Sequence, residues 1–218
     1  MNGNNFKGMP IQGNLNDYNV RYLDRILDTI NHACDDYKRV FAVRIDLKLP
    51  HGPQDLDCLS RDEIVSHCRF RGRLMSRFID SLKAKIKAMD RRYQQVNKRI
   101  YPTSVRFIWC RERDTSENDH FHMSLLFNKD RFYTLGNWEN RESLLGIIIE
   151  SWASALGLEF DSVIGLVHFS KNGRYHLNEN SRDFNKQYAD LFYRLSYLAK
   201  KDTKHNGERK RNFGCSQR

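Results

Sequence analysis

The sequence predicts an α+β domain, an antiparallel β-sheet with flanking helices. Three observations carry that reading. Apolar residues recur at helical spacing in some segments and alternate in others. The two kinds follow one another in the order α-β-α-β-β-α-β-β-α, with short polar links inside the paired β runs. The 218 residues suffice for one sizeable core, and neither an internal repeat nor a linker divides them. Residues 17–204 therefore read as one domain, after a flexible Asn- and Gly-rich segment (1–16) and before a basic tail (205–218).

Asp17 is the candidate cap of the first helix, which has Val20, Leu23, Ile26/Leu27 and Ile30 at helical spacing. In "RVFAVRIDLKLP", Phe41, Val43, Ile45 and Leu47 read as the apolar side of a half-buried strand, ended by Pro50, Gly52 and Pro53. Ser60 opens the longest periodic segment. Its apolar face runs through Ile64, Cys68, Met75, Phe78/Ile79, Leu82, Ile86, Met89, Tyr93 and Val96, and its outer side is cationic. "TSVRFIWCRERD" and "HFHMSLLFN", joined by "DTSEN", read as a hairpin. A helix on Leu145, Ile148, Ile149, Trp152 and Leu156 stops at Gly157. "SVIGLVHFSKNGRYHLNE" reads as a second hairpin turning at Asn172-Gly173. Ser181 is the candidate cap of the last helix, which runs to about Lys201.

Composition narrows the function. Lys+Arg 37 against Asp+Glu 27 gives a formal charge of +10, which favours a polyanionic partner. The charge is concentrated in residues 69–99 and 194–218, blocks that suit phosphate contacts. Arg69, Arg73, Arg77, Lys83, Lys87 and Arg91 are the DNA-binding candidates. The five cysteines form no C-x-x-C pair, which argues against a structural zinc site or a disulfide framework. No stretch has the apolar core of a signal peptide or the length of a membrane span, so a cytoplasmic location is expected.

His120 and His122 flank Phe121 and point to one face of their strand. Alone, that triplet says little. With the hairpin turn centred on Ser116, however, Glu112 faces His120 and Cys110 faces His122. Glu112, His120 and His122 then converge as a candidate divalent-cation site. A slip of one residue would send Glu112 to the other side. On the last helix, Phe184, Tyr188, Leu191, Leu195, Leu198 and Ala199 share one face. Tyr197 lies on the opposite face with Tyr193, Lys200 and, if the helix continues, Lys204. A tyrosine among cations and a metal that polarises a phosphoryl oxygen are the parts of a phosphodiester-cleaving site.

His120-Phe121-His122 followed by Tyr197-Leu198-Ala199-Lys200 resembles the HUH endonucleases of rolling-circle replication. "FIWCRE", "HFHMSLLFNKDRFYTLG", "LFYRLSYLAKKDTK" and "NFGCSQR" look more closely like the YagK/YfjJ family of prophage proteins, itself similar to inovirus (filamentous-phage) replication proteins. The resemblance covers about residues 35–218. It implies an HUH-endonuclease-like fold and Mg2+ or Mn2+ held by His120 and His122, with Glu112 matching a third-ligand position. It also implies Tyr197 as nucleophile and Lys200 as the phosphate-positioning cation, with Tyr193, Lys201 and Lys204 as auxiliary candidates. Where a two-tyrosine subgroup has lysine beside its first tyrosine, this chain has Ser196. The implied substrate is single-stranded or hairpin origin DNA of a phage or mobile element, and unwinding falls to a host helicase. The alternative is a non-catalytic DNA-binding regulator on the same fold. His168 reads as a core histidine. His32, His51, His67, His176 and His205 do not cluster, and Asp55 and Asp57 read as a polar loop.

Overall fold

The computed structural model describes residues 3–50, 73–112, 119–201 and 211–217. Its elements in chain order are β1 (Asn5–Phe6), β2 (Met9–Pro10), α1 (Val20–Asp36), β3 (Arg39–Lys48), α2 (Leu74–Gln95) and β4 (Arg106–Glu112). There follow β5 (His120–Asn128), α3 (Leu144–Leu156), α4 (Phe160–Val163), β6 (Val167–Asn178), α5 (Phe184–Ser196) and β7 (Phe213–Cys215). The strands β3 to β7 make one antiparallel sheet in the order β6-β3-β5-β4-β7, so the α+β class is observed. Among the described residues no helix is long and apolar enough to cross a membrane.

Helices cover both faces of the sheet. α2 and α3 pack on Phe41, Val43, Ile45 and Leu47 of β3 and on Phe121, Met123, Leu125 and Phe127 of β5. α1 and α5 pack on the other face, against Val40, Ala42, Ile108, Cys110, Leu126 and Leu177. β3 is thus buried on both sides, not half-buried. Val40 and Ala42, on the side opposite Phe41, serve the second core. Phe121 sits edge-on to Trp109 and Trp152, with ring centroids 6.0 and 6.2 Å away. Because strand side chains alternate, burying Phe121 on the α2/α3 side turns both flanking histidines to the α1/α5 side.

Several boundaries differ from the sequence reading. The first sixteen residues are not all loose: β1 and β2 form a hairpin whose Lys7-Gly8 turn has φ values of 50° and 82°, as a tight two-residue turn requires. Phe6 and Ile11 are buried, and Phe6 stacks on Phe192. Asn19, not Asp17, caps α1, its side chain accepting from the Tyr22 N–H. Ser181 does not cap α5, where Asp183 takes the N-cap position. The last helix ends at Ser196, and residues 197–199 tighten into a 3₁₀ turn. Part of the basic tail is structured, with β7 paired to β4 and Phe213 stacked on Tyr22 at 4.1 Å. The helix start at Ser60, the turn at Ser116, Arg69, Lys204, and the Asp55/Asp57 loop lie outside the described residues.

The second hairpin is instead one bulged strand. Both halves of β6 pair antiparallel to β3, with Val43 opposite Arg174 and Ile45 opposite Phe169. Residues 170–173 loop out between them. The Asn-Gly pair makes a bulge because each arm gains a ladder on β3, which two arms pairing only with each other would forgo. Gly173 permits the close approach, since a Cβ there would lie 3.1 Å from the Arg44 carbonyl oxygen.

Gly146 gives a test of the packing. Alanine normally favours a helix over glycine, but a Cβ at this position of α3 would lie 2.6 Å from the Arg141 backbone. Gly146→Ala is therefore expected to destabilise the fold by about 1–3 kcal/mol, as overpacking does. A urea midpoint equal to or above that of the wild type would contradict it.

Candidate active site

On the α1/α5 face, β5 changes from apolar Leu126 through Ser124 to His122 and His120, and β3 from Ala42 to Arg44 and Asp46. The second core gives way there to a polar end of the sheet. Glu112 pairs with His120 and Cys110 with His122, the register read from the sequence. One ligand atom from each of Glu112, His120 and His122 lies within 4.8 Å of the other two. The Glu112 Oε2 to His122 Nε2 distance is 3.0 Å, about the spacing of neighbouring ligands around an ion bound at roughly 2.1 Å. Glu112 is almost fully buried while both imidazoles are half-buried, so an ion could be held with open positions toward solvent. The donors fit a divalent cation.

The fourth member comes from the 3₁₀ turn that follows α5. The Tyr197 hydroxyl donates to Glu112 Oε2 at 3.4 Å, and its ring stands edge-on to His122 with centroids 5.9 Å apart. The N-terminal arm holds that turn in place. Gln12 donates through Nε2 to the Tyr193 carbonyl at 3.0 Å, and Asn19 N–H donates to the Ala199 carbonyl at 2.9 Å. Lys201 N–H donates to the Asp17 carbonyl at 2.9 Å, closing the turn against the segment that leads into α1. Gln12, from the segment read as flexible, thus holds the end of α5, while residues 17–19 hold the turn that carries the candidate nucleophile.

The family model for the YagK/YfjJ C-terminal domain matches residues 2–216. The chain belongs to the YagK/YfjJ family. It is 40% identical to the uncharacterized protein YagK of Escherichia coli (strain K12), over 91% of this chain and 93% of that one. It is 35% identical to the uncharacterized protein YfjJ of the same strain, over 90% and 93%. No solved structure matches significantly.

In this YagK/YfjJ chain, sequence reasoning missed two residues. Asp46, paired with His122 across β3 and β5, accepts from His122 Nδ1 at 2.5 Å. Burial raises the Asp46 pKa, but His122 and Arg44 outweigh it and hold it down to about 2. Burial likewise opposes charge on His122, yet Asp46 and Glu112 prevail and raise its pKa. Asp46 therefore orients the imaidazole ring of His122 as an outer-shell carboxylate does, leaving Nε2 to face the candidate ion. Arg44 is the other residue missed, with its guanidinium 5.2 Å from the Tyr197 ring. The available signal was "VRIDL", two opposite charges placed two apart in an apolar strand and so on one face. His168, read as a core residue, is 63% exposed and puts Nδ1 3.5 Å from Asp46 Oδ2 at the rim of the site.

The remaining candidates divide. Lys200 is at the site, its Nζ 5.4 Å from the Tyr197 ring. Lys201 points its ammonium elsewhere, to the Asn16 carbonyl at 2.9 Å. Tyr193 is 45% exposed, one turn before Tyr197. Arg73, at the N-cap of α2, and Lys83, Lys87 and Arg91 on it are exposed, and Arg77 donates to the Ser154 carbonyl of α3. α2 packs across the sheet from the cluster, so the structure does not bring these cations to the candidate active site. A groove of about 600 Å³ between α2, β4 and β7, lined by Lys83, Lys87 and Arg106, lies on that other side.

Burial raises the Tyr197 pKa, and the Glu112 carboxylate raises it further, against Arg44. A cation at the cluster would offset the Glu112 charge and favour the phenolate. Asp46→Asn keeps the side chain's size and removes its charge, so Mn2+ affinity is expected to fall about 10–100-fold. Calorimetric titration with Mn2+ measures this, and an unchanged affinity would remove Asp46 from the site.

Proposed function

We propose that the protein nicks and rejoins single-stranded DNA through a phosphotyrosine intermediate, as an HUH-type endonuclease that initiates replication of a phage or mobile element. The observation that carries the reading is the Tyr197 hydroxyl, 3.4 Å from a carboxylate that belongs to a Glu/His/His cluster. Order along the chain supports it too, the two histidines preceding Tyr197-Leu198-Ala199-Lys200.

In this reading Tyr197 Oη attacks the phosphorus and loses its proton to solvent. The bond from phosphorus to the 3′ oxygen breaks, and that oxygen takes a proton from water to leave as a 3′ hydroxyl. The 5′ side remains on Tyr197 as a phosphotyrosine. Attack by a 3′ hydroxyl on the same phosphorus reverses the step and joins strands. Glu112, His120 and His122 would hold Mg2+ or Mn2+, which supplies polarisation of a phosphoryl oxygen. Two imidazoles favour Mn2+ of the two. Lys200 offsets charge on the phosphoryl oxygens, while Asp46 keeps His122 oriented.

The deciding experiment incubates the full chain with a panel of single-stranded DNA hairpins and Mn2+ or Mg2+, then runs a denaturing gel. The reading requires a cut strand and a covalent protein–DNA adduct that depend on the cation. DNA binding without either product, whichever cation is supplied, would favour the regulator. Its support is the exposed cationic side of α2, which stands apart from the cluster. Binding is expected to be independent of metal and sensitive to salt, each contacted phosphate adding about 0.7 to the log–log slope on single strands. A flat response between low and physiological salt would contradict phosphate-led binding.

A further inference from the structure

We infer that Arg44 forms the buried wall of a phosphate subsite beside Tyr197, distinct from the metal donors. That the phosphate is the scissile one rests on the strand-transfer reading above. Arg44 lies within the sheet, paired with Ser124 of β5, and is only 6% exposed. On this face of β3 it follows apolar Val40 and Ala42. A buried guanidinium carries a desolvation cost that ordinary structure offsets with close, hydrogen-bonded carboxylates. Arg44 has little of that compensation. Its Nε is buried without a hydrogen-bond partner. The nearest carboxylate oxygen recorded for it, Asp46 Oδ1, is 3.6 Å away and already accepts from His122.

What surrounds the guanidinium indicates its ligand. It lies 5.2 Å from the Tyr197 ring, and Lys200 Nζ lies 5.4 Å from that same ring. Two cations therefore attend the residue whose hydroxyl reaches Glu112. An anion arriving at that hydroxyl meets positive charge from two elements, β3 and the turn after α5. The planar fork of arginine matches phosphate oxygens in a way that a lysine point charge does not. Contact with the Tyr197 ring also lets Arg44 hold the tyrosine and the phosphate in one arrangement.

The test uses the full-length, metal-free protein and a thymidine trinucleotide as the phosphodiester probe, titrated by calorimetry. Arg44→Met should weaken binding by about tenfold, the loss expected for a hydrogen bond to a charged group. Arg44→Lys should fall between Arg44→Met and wild type, and low-millimolar guanidinium should restore binding to Arg44→Ala. Lys38→Met, which removes an exposed charge paired with Glu179, is the charge-matched control and should bind as wild type does. If Arg44→Met does not fold, the Lys variant and the guanidinium rescue carry the test. Wild-type protein that does not bind the trinucleotide, or folded Arg44 variants that bind it normally, overturn the inference. Arg44-dependent binding by a protein that never cuts DNA supports the subsite while sinking the strand-transfer reading. Wild-type cutting rates in Arg44→Met do the reverse.

Discussion

Tyr197→Phe is expected to abolish strand cleavage and the covalent DNA adduct while leaving DNA binding near normal. Cleavage should fall at least about a thousandfold, as when a covalent nucleophile is removed. The ring keeps its place beside Arg44 and Lys200 and only the hydroxyl facing Glu112 is lost. Stability should change by less than about 1 kcal/mol, because no core position is emptied. Tyr193→Phe, on the exposed residue one turn earlier, should retain the first cleavage. Denaturing gels read both variants against thermal melts of the same samples. An exchange of the two outcomes would move the nucleophile to Tyr193. Cleavage that survives both substitutions removes tyrosine from the mechanism.

His122→Ala should have the second-largest effect, because His122 contacts four other members of the site. It meets Asp46 through Nδ1 and Glu112 through Nε2, and its ring adjoins those of His120 and Tyr197. Mn2+ affinity is expected to fall more than about 100-fold, beyond what the loss of an outer-shell partner costs. Calorimetric titration reads it, and retained affinity would place the ion elsewhere.

The pH dependence follows from the same contacts. Ligation needs His122 Nε2 without its proton, so Mn2+ affinity in the wild type should drop as pH falls through the raised pKa of His122. In the metal-free protein, His122 and Asp46 make opposite contributions. The contribution of His122 is complete below the ordinary imidazole value and is lost as pH rises through its raised value. That of Asp46 is complete above the ordinary carboxylate value and is lost as pH falls toward about 2. Metal-free melting temperatures that rise steadily from mildly acidic to alkaline pH would contradict the His122 assignment.

Much of this architecture was legible locally. The alternation in "HFHMSLLFN" set the faces of β5, and a short polar link set the Glu112–His120 pairing, because strand register depends on neighbouring residues and a turn. Gly157, at φ 73°, stops α3 as a glycine past the last helical residue does. Asn172-Gly173 misled because a turn signal states that the chain can bend, whereas its partner strand decides what the bend becomes. Tyr197 left the 100° spacing of α5 because its turn is tied to residues 17–19 by backbone hydrogen bonds.

By itself the sequence determined the α+β class, the hairpin register, the Glu112/His120/His122 trio and the helical stripe that leaves Tyr197 off the apolar face. Each depends on side-chain periodicity over a few residues, which a single chain displays openly. Only the tertiary structure decided that Arg44 and Asp46 join the site, that the N-terminal arm clamps the Tyr197 turn, and that the cations of α2 lie across the sheet. Those facts depend on which distant segments become neighbours. That choice follows from burying two apolar faces of one sheet at once, and no local pattern records it.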